Sequence, residues 1–268
     1  MSITPQPAIH LYESGDPAAP AILFLHGSPL SGRMWQPQFE TLTEFHCLAP
    51  DLPGHGLSSA MGAIPVDELV QNLASLIRSK SPSGKAHVVG FSYGGVVAQA
   101  LLSGAPEVVE SAILSGTSAR LGAFMTRVFK LYLKLNEPIL KIMHPDQLGK
   151  LLAFQFGIPA QYSEMLGEDM KRMHPGLMVE VLMQSYLDIR TPVSTSIPVL
   201  VAVGSRETPF AKSMARKLVC QIGGAKGILI PGLSHVWNMQ DPHLFSQVAR
   251  AWFIESNIPK EKVSPLIK

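Results

Sequence analysis

Residues 88–95 read VVGFSYGG: two β-branched valines, then Gly90, Phe91, Ser92, Tyr93 and the pair Gly94-Gly95. The segment places one small nucleophile-capable residue, Ser92, where an apolar strand ends and a helix begins. Serine and glycine are ordinary turn residues, so a G-x-S-x-G pentad alone carries little. Its meaning depends on what surrounds it.

At 268 residues the chain can bury a large core, and the length suits one α/β domain of the larger kind or a domain with an insertion. Charged residues make up 16% and apolar residues 46%, a balance unlike that of a disordered chain. The net charge is +2, and the bases are scattered apart from a mild cluster at Lys260, Lys262 and Lys268. That argues against a nucleic-acid surface. No apolar run approaches the roughly 18 residues of a membrane span. The opening stretch, MSITPQPAIHLYESGD, lacks the basic and apolar regions of a secretory signal, so a cytoplasmic location is expected. Cys47 and Cys220 stand far apart in apolar contexts and are expected to be buried free thiols.

Working outward from Ser92, short apolar runs of strand length recur at 21–27, 46–51, 86–92, 110–116, 197–205 and 226–232. They are continuous rather than alternating, as in strands buried on both faces of a parallel sheet. Helix-period segments lie between them. One is PVDELVQNLASLIRSK, with Leu69, Leu73, Leu76 and Ile77 on one face and Pro65 placed to open it. Others run from Phe210 to Ile222 and from Pro242 to about Ile258. The expected class is therefore α/β, with a mostly parallel central sheet, flanking helices and right-handed crossovers. From about 117 to 190 no strand is legible. Helical stretches divided by Pro138, Pro145, Pro159 and Pro175 predict an inserted helical cap, with 1–116 and 191–268 as the core domain. Seven of the twelve methionines fall in this interval. Most are expected to pack, while some, such as Met178 and Met183, are candidates to line a pocket for apolar ligands.

Ligands of open α/β sheets bind beyond the carboxyl ends of the strands. The residues just past those ends are His26-Gly27-Ser28-Pro29, DLPGHGLS (51–58), Ser92, Ser205-Arg206-Glu207 and Leu233-Ser234-His235. A serine, a carboxylate and a histidine thus follow different strands and should meet on one rim. Nucleophilic catalysis needs that convergence. A serine hydroxyl is a poor nucleophile until a base takes its proton, and the base works best when a carboxylate fixes its tautomer. A sharp strand-to-helix turn at Ser92 also accounts for Gly90 and Gly94, where side chains would collide with neighbouring elements.

The ordered set HGSP, DLPGHGLS, GFSYGG and GLSHVWNMQDP resembles the α/β-hydrolase superfamily over nearly the whole length. The resemblance implies Ser92 as nucleophile, His235 as general base, Glu207 as orienting acid, and an oxyanion hole from the backbone N–H groups of Ser28 and Tyr93. The sequence departs from the pattern twice. The acid is usually aspartate, and the N-terminal part offers little more than IHLYESG for the antiparallel strands that usually begin the sheet. The bland alternative for Glu207 is a solvated carboxylate paired with Arg206.

Other histidines have structural explanations: His26 and His55 as loop braces, His87 in a buried strand, His144 and His174 at helix ends. Trp35 and Phe91 either border the pocket or pack in the core. No metal-site spacing is present, and no cofactor is implied. Serine in place of aspartate at the elbow implies acyl transfer rather than dehalogenation or epoxide opening. The first reading is a carboxylic ester hydrolase acting on small to medium apolar molecules. Alternatives are a carbon–carbon hydrolase or acyltransferase with the same residues, or a ligand-binding protein with slow turnover. Nothing in the sequence sets the oligomeric state.

Overall fold

In the computed structural model, residues 9–173, 180–181, 183, 189–192, 195–259 and 261–267 are described, with backbone only at 139–141. The six continuous apolar runs become the parallel centre of an eight-stranded sheet: β2 (Ala21–Leu25), β3 (His46–Pro50), β4 (Ala86–Phe91), β5 (Val109–Ser115), β6 (Val199–Gly204) and β7 (Lys226–Ile230). The order is β1-β3-β2-β4-β5-β6-β7-β8. Short antiparallel strands close both edges, β1 (Leu11–Ser14) on β3 and β8 (Ser264–Pro265) on β7. β1 falls within the IHLYESG segment. β8 has no sequence signal, being two residues long.

The continuous apolar pattern follows from two cores. Ile22 and Phe24 point into one, Leu23 and Leu25 into the other, as the two-residue strand period requires. The second core takes the inward faces of α2 (Val66–Lys80) and α3 (Tyr93–Gly104). The first takes the buried aromatics Trp35, Trp237, Phe245 and Trp252. α1 (Gln36–Thr41) borders that layer. The expected face of α2 is buried at Leu69, Leu73 and Ile77, while Leu76 is only half-buried.

Between β5 and β6 the described residues contain helices and no strand: α4 (Ala123–Ile142), α5 (Pro145–Phe156) and α6 (Ser163–Arg172). After β6 come α7 (Pro209–Gln221), α8 (Trp237–Gln240) and α9 (Pro242–Glu255). Leu148, Leu166, Met170 and Met173 join the first core, so the insertion is packed into the sheet's own cluster. Three expectations need correction. Pro138 does not divide its segment, because α4 runs through it on the exposed side, where the carbonyl it strands can be hydrated. Pro145 does divide the helices: α4 ends at Ile142 and Pro145 opens α5, capped by the His144 ring accepting from the Asp146 N–H. α9 stops at Glu255, where Ser256 turns left-handed, short of Ile258. Cys47 is buried but Cys220 is exposed, because it falls on the outer face of α7; both are free. His174, Pro175 and Met178 lie outside the described residues.

The carboxyl ends of the strands are in register. Leu25 lies opposite Gly90, Phe91 opposite Ser115, and Gly204 opposite Ile230. The loops that follow therefore leave from one rim.

His26, His55 and His87 are buried neutral. His26 Nε2 accepts from the Leu52 N–H at 2.8 Å, so its proton sits on Nδ1, facing Gly27 O at 3.2 Å. Burial pushes His26 down to about 4 and His87 down to about 4. Burial, with His26 alongside, takes His55 down to about 3. The unfolded rings protonate near pH 6.5, so this stability is complete above that pH and declines as pH falls towards 4. Each ring should cost about 1–2 kcal/mol by pH 5. The urea midpoint should drop between pH 7 and pH 5, with a shallower slope in His87→Gln. Equal midpoints at the two pH values would contradict the buried neutral rings.

Candidate active site

Ser92 follows β4 and precedes α3 with φ 51° and ψ −111°, a left-handed conformation that a non-glycine residue rarely adopts. Hydrogen bonds hold it there. The Ser92 N–H donates to Ser115 O at 2.9 Å, and Ser92 O accepts from Gly95 and Val96. The first turn of α3 then presses on neighbouring strand ends. A Cβ at Gly94 would stand 2.2 Å from Leu25 O, and one at Gly90 would stand 2.6 Å from Gly94 O.

Glu207 and His235 leave from β6 and β7, and their loops are stitched together. Arg206 N–H donates to Leu233 O at 2.9 Å, and the Gly232 N–H to Ser205 Oγ at 2.8 Å. The Glu207 carboxylate, 6% exposed, accepts from His235 Nδ1 at 2.9 Å. Its other oxygen faces the Gly204 N–H at 3.4 Å. Among the described residues it forms no ion pair with Arg206.

The imidazole of His235 lies between the rings of Phe91 and Phe156, at centroid distances of 4.9 and 5.0 Å. It also covers Gly116, where φ is 55° and a Cβ would stand 2.9 Å from the ring. Ser92 forms no hydrogen bond with His235 in this structure. Such contacts are often long in an unliganded site and tighten on substrate.

The 26–29 loop packs on the same spot, since a Cβ at Gly27 would lie 3.1 Å from the Ser92 Cβ. The N–H groups of Ser28 and Tyr93 have no protein acceptor among the described residues. That of Tyr93 belongs to the open first turn of α3. The histidines expected as braces are braces. The His26 and His55 rings meet edge-on at 5.0 Å, and His55 stacks on Tyr93. Trp35 is a core residue, fully buried against Phe24 and Phe245, with no surface to offer a ligand. Met183 is half-buried on a helical residue.

Several contacts at this rim had no sequence signal. Ser28 Oγ contacts Met173 Sδ at 3.9 Å. Arg33 reaches Glu168 at 2.6 Å, buried Asp169 at 2.8 Å and Met165 O at 3.3 Å, tying α6 to the 26–35 segment. Gln240 joins the His235 loop to the end of α5. It accepts from the Ser234 N–H at 2.9 Å and donates to Gly157 O at 2.8 Å, while Ser234 Oγ donates to Phe156 O at 3.0 Å. Gln240 stands inside the GLSHVWNMQDP stretch, but no residue pattern marks an amide for this work. Among the described residues no group of three His, Cys, Asp or Glu side chains could hold a metal ion. Two open clefts, of about 560 and 740 Å³, contain none of Ser92, Glu207 and His235.

The model of the alpha/beta hydrolase family matches residues 22–248. The chain belongs to that family. An AB hydrolase superfamily protein of Gibberella zeae is 29% identical over 259 residues, covering 92% of this chain and 85% of its own. An (E)-2-((N-methylformamido)methylene)succinate hydrolase of Acinetobacter baylyi is 22% identical, covering 91% and 93%. Among solved structures, a malate-bound thermophilic esterase from Thermogutta terrifontis shares the fold with a TM-score of 0.75 and 23% identity, over 91% of this chain and 92% of that one.

Removing the Gln240 amide orphans the Ser234 N–H and Gly157 O. Gln240→Ala should lower unfolding free energy by about 1–3 kcal/mol, read from urea melts. A change under about 0.3 kcal/mol would mean that the join carries no load.

Proposed function

We propose that this α/β hydrolase is a serine esterase that cleaves carboxylic esters of small to medium apolar molecules through an acyl-enzyme. The observation that carries the reading is the half-buried 2.9 Å contact between His235 Nδ1 and Glu207 Oε2. With Nδ1–H held by the carboxylate, the lone pair is left on Nε2, which is the arrangement a base needs. In this mechanism His235 takes the Ser92 proton as Oγ attacks the ester carbonyl. The negative charge forms on the former carbonyl oxygen and is met by the Ser28 and Tyr93 N–H groups. Collapse expels the alcohol, which receives the proton from His235. Water, activated by the same ring, attacks the acyl-enzyme, and the carboxylic acid leaves with Ser92 restored.

In the same reading residues 117–190 act as a cap whose substrate contacts come from the end of α5 and from Met173. Two contacts support this: Phe156 lies against His235, and Met173 lies against Ser28. Apolar groups at these points favour apolar acyl or alcohol moieties over charged ones.

A fluorophosphonate should label the wild type, and Ser92→Ala should abolish labelling together with p-nitrophenyl ester turnover. A label that maps to another serine would overturn the assignment. Fast carbon–carbon cleavage beside negligible ester turnover would replace the substrate class while keeping Ser92.

Glu207→Gln should lower kcat by roughly 10³ to 10⁴, as loss of the orienting acid does in serine triads, with an unchanged thermal midpoint. Glu207→Asp should retain part of the activity. A Glu207→Gln kcat within about threefold of wild type would move the acid elsewhere.

A further inference from the structure

α4 turns an apolar face outward. A surface helix normally hides its apolar stripe against the core and shows charge to water. In α4 the packed side carries buried Leu133 and half-buried Phe129. The opposite side carries Phe124, Val128, Leu131, Leu135 and Ile142, all exposed; Phe124 is 76% and Leu135 66% exposed. The steps of four, three, four and seven residues put them on one stripe at about 100° per residue. Tyr132, 58% exposed, widens it.

Charge lines one border of this stripe. On the same helical wheel Arg127, Lys130 and Lys134 follow one another along a single side, and all three are exposed. None forms an ion pair among the described residues. Across 123–142 the sequence holds four basic residues, Arg127, Lys130, Lys134 and Lys141, against one acidic residue, Glu137. A second copy of the chain would bring the same cations and no exposed carboxylate on α4 to answer them. An anionic lipid surface answers both features at once: the acyl boundary takes the apolar stripe and the headgroups take the cations.

We infer that α4 is an interfacial helix that docks the protein on an anionic bilayer surface. The helix lies in the interface and does not cross it; among the described residues none is long and apolar enough to span a membrane. The inference does not depend on the esterase reading, because α4 carries none of the residues given roles in catalysis.

The test is co-sedimentation with sucrose-loaded vesicles of phosphatidylcholine alone, or of phosphatidylcholine with phosphatidylglycerol. Partitioning onto the anionic vesicles should be at least about tenfold stronger, and 0.5 M salt should reduce it by at least about tenfold. Lys130→Gln/Lys134→Gln should lose most of that preference. Leu131→Gln/Leu135→Gln should lose binding to both vesicle types, with the far-UV circular dichroism spectrum and thermal midpoint of the free protein as the check on folding. If the leucine variant fails to fold, the lipid, salt and lysine comparisons still decide. Equal binding to both vesicle types, or binding to neither, overturns the proposal. A dimer by light scattering that Leu131→Gln/Leu135→Gln breaks, without vesicle binding, assigns the stripe to a second copy instead.

Discussion

A Cβ at residue 94 would stand 2.2 Å from Leu25 O, and one at residue 95 would stand 2.5 Å from the Thr117 side chain. This close approach of α3 to the ends of β2 and β5 is the constraint on which the site depends. It forces the chain from strand to helix in a single residue, and that residue is held at positive φ. A non-glycine residue in that region costs on the order of 1–3 kcal/mol. The cost is offset locally, because Ser92 N–H and O both have backbone partners and the helix behind them lies in the core. The strain has a geometric product: the side chain of Ser92 leaves the sheet instead of joining either core.

The same economy of space places His235. Gly116 gives the imidazole room, Phe91 and Phe156 flank it, and the β6 and β7 loops hold the carboxylate beneath it. Each support comes from a different strand or helix, so the site is a property of the strand register. Sliding β4 against β5 by one residue would turn Phe91 and Ser115 to the opposite faces of the sheet. Gln240 and Ser234 fasten the end of α5 to the β7 loop, beside the contact of Phe156 with the ring. The inserted helices and the sheet are coupled at the ring itself.

The six central strands and the rim residues were legible because their cause is local. Burial on both faces writes continuous apolar runs, and close backbone approach writes glycine at fixed positions. β8 was not legible, since two residues carry no period. Pro138 misled, because α4 carries it near its end on the exposed side, where water can take up the stranded carbonyl and a bend meets no packed neighbour. Cys220 misled because apolar neighbours in sequence do not place a residue on the inner face of α7. Trp35 was ambiguous because bulk and aromaticity suit a pocket and a core equally; its neighbours Phe24 and Phe245 decide for the core. Gln240 and Arg33 were invisible, since their partners lie 83 and 136 residues away.

In the proposed mechanism position 207 carries glutamate where aspartate is commoner, and the local turn explains how it fits. Glu207 N–H donates to Gly204 O at 3.1 Å, so the residue closes a tight turn directly after β6. Its Oε1 folds back towards the Gly204 N–H at 3.4 Å while Oε2 meets the imidazole at 2.9 Å. The extra methylene lets one carboxylate face both groups from a backbone position set by the turn. Gly204 closes the argument, because a Cβ there would stand 2.5 Å from Leu233 O and would push apart the two loops the carboxylate bridges. The longer acid and the glycine three residues before it are one solution to the same spacing.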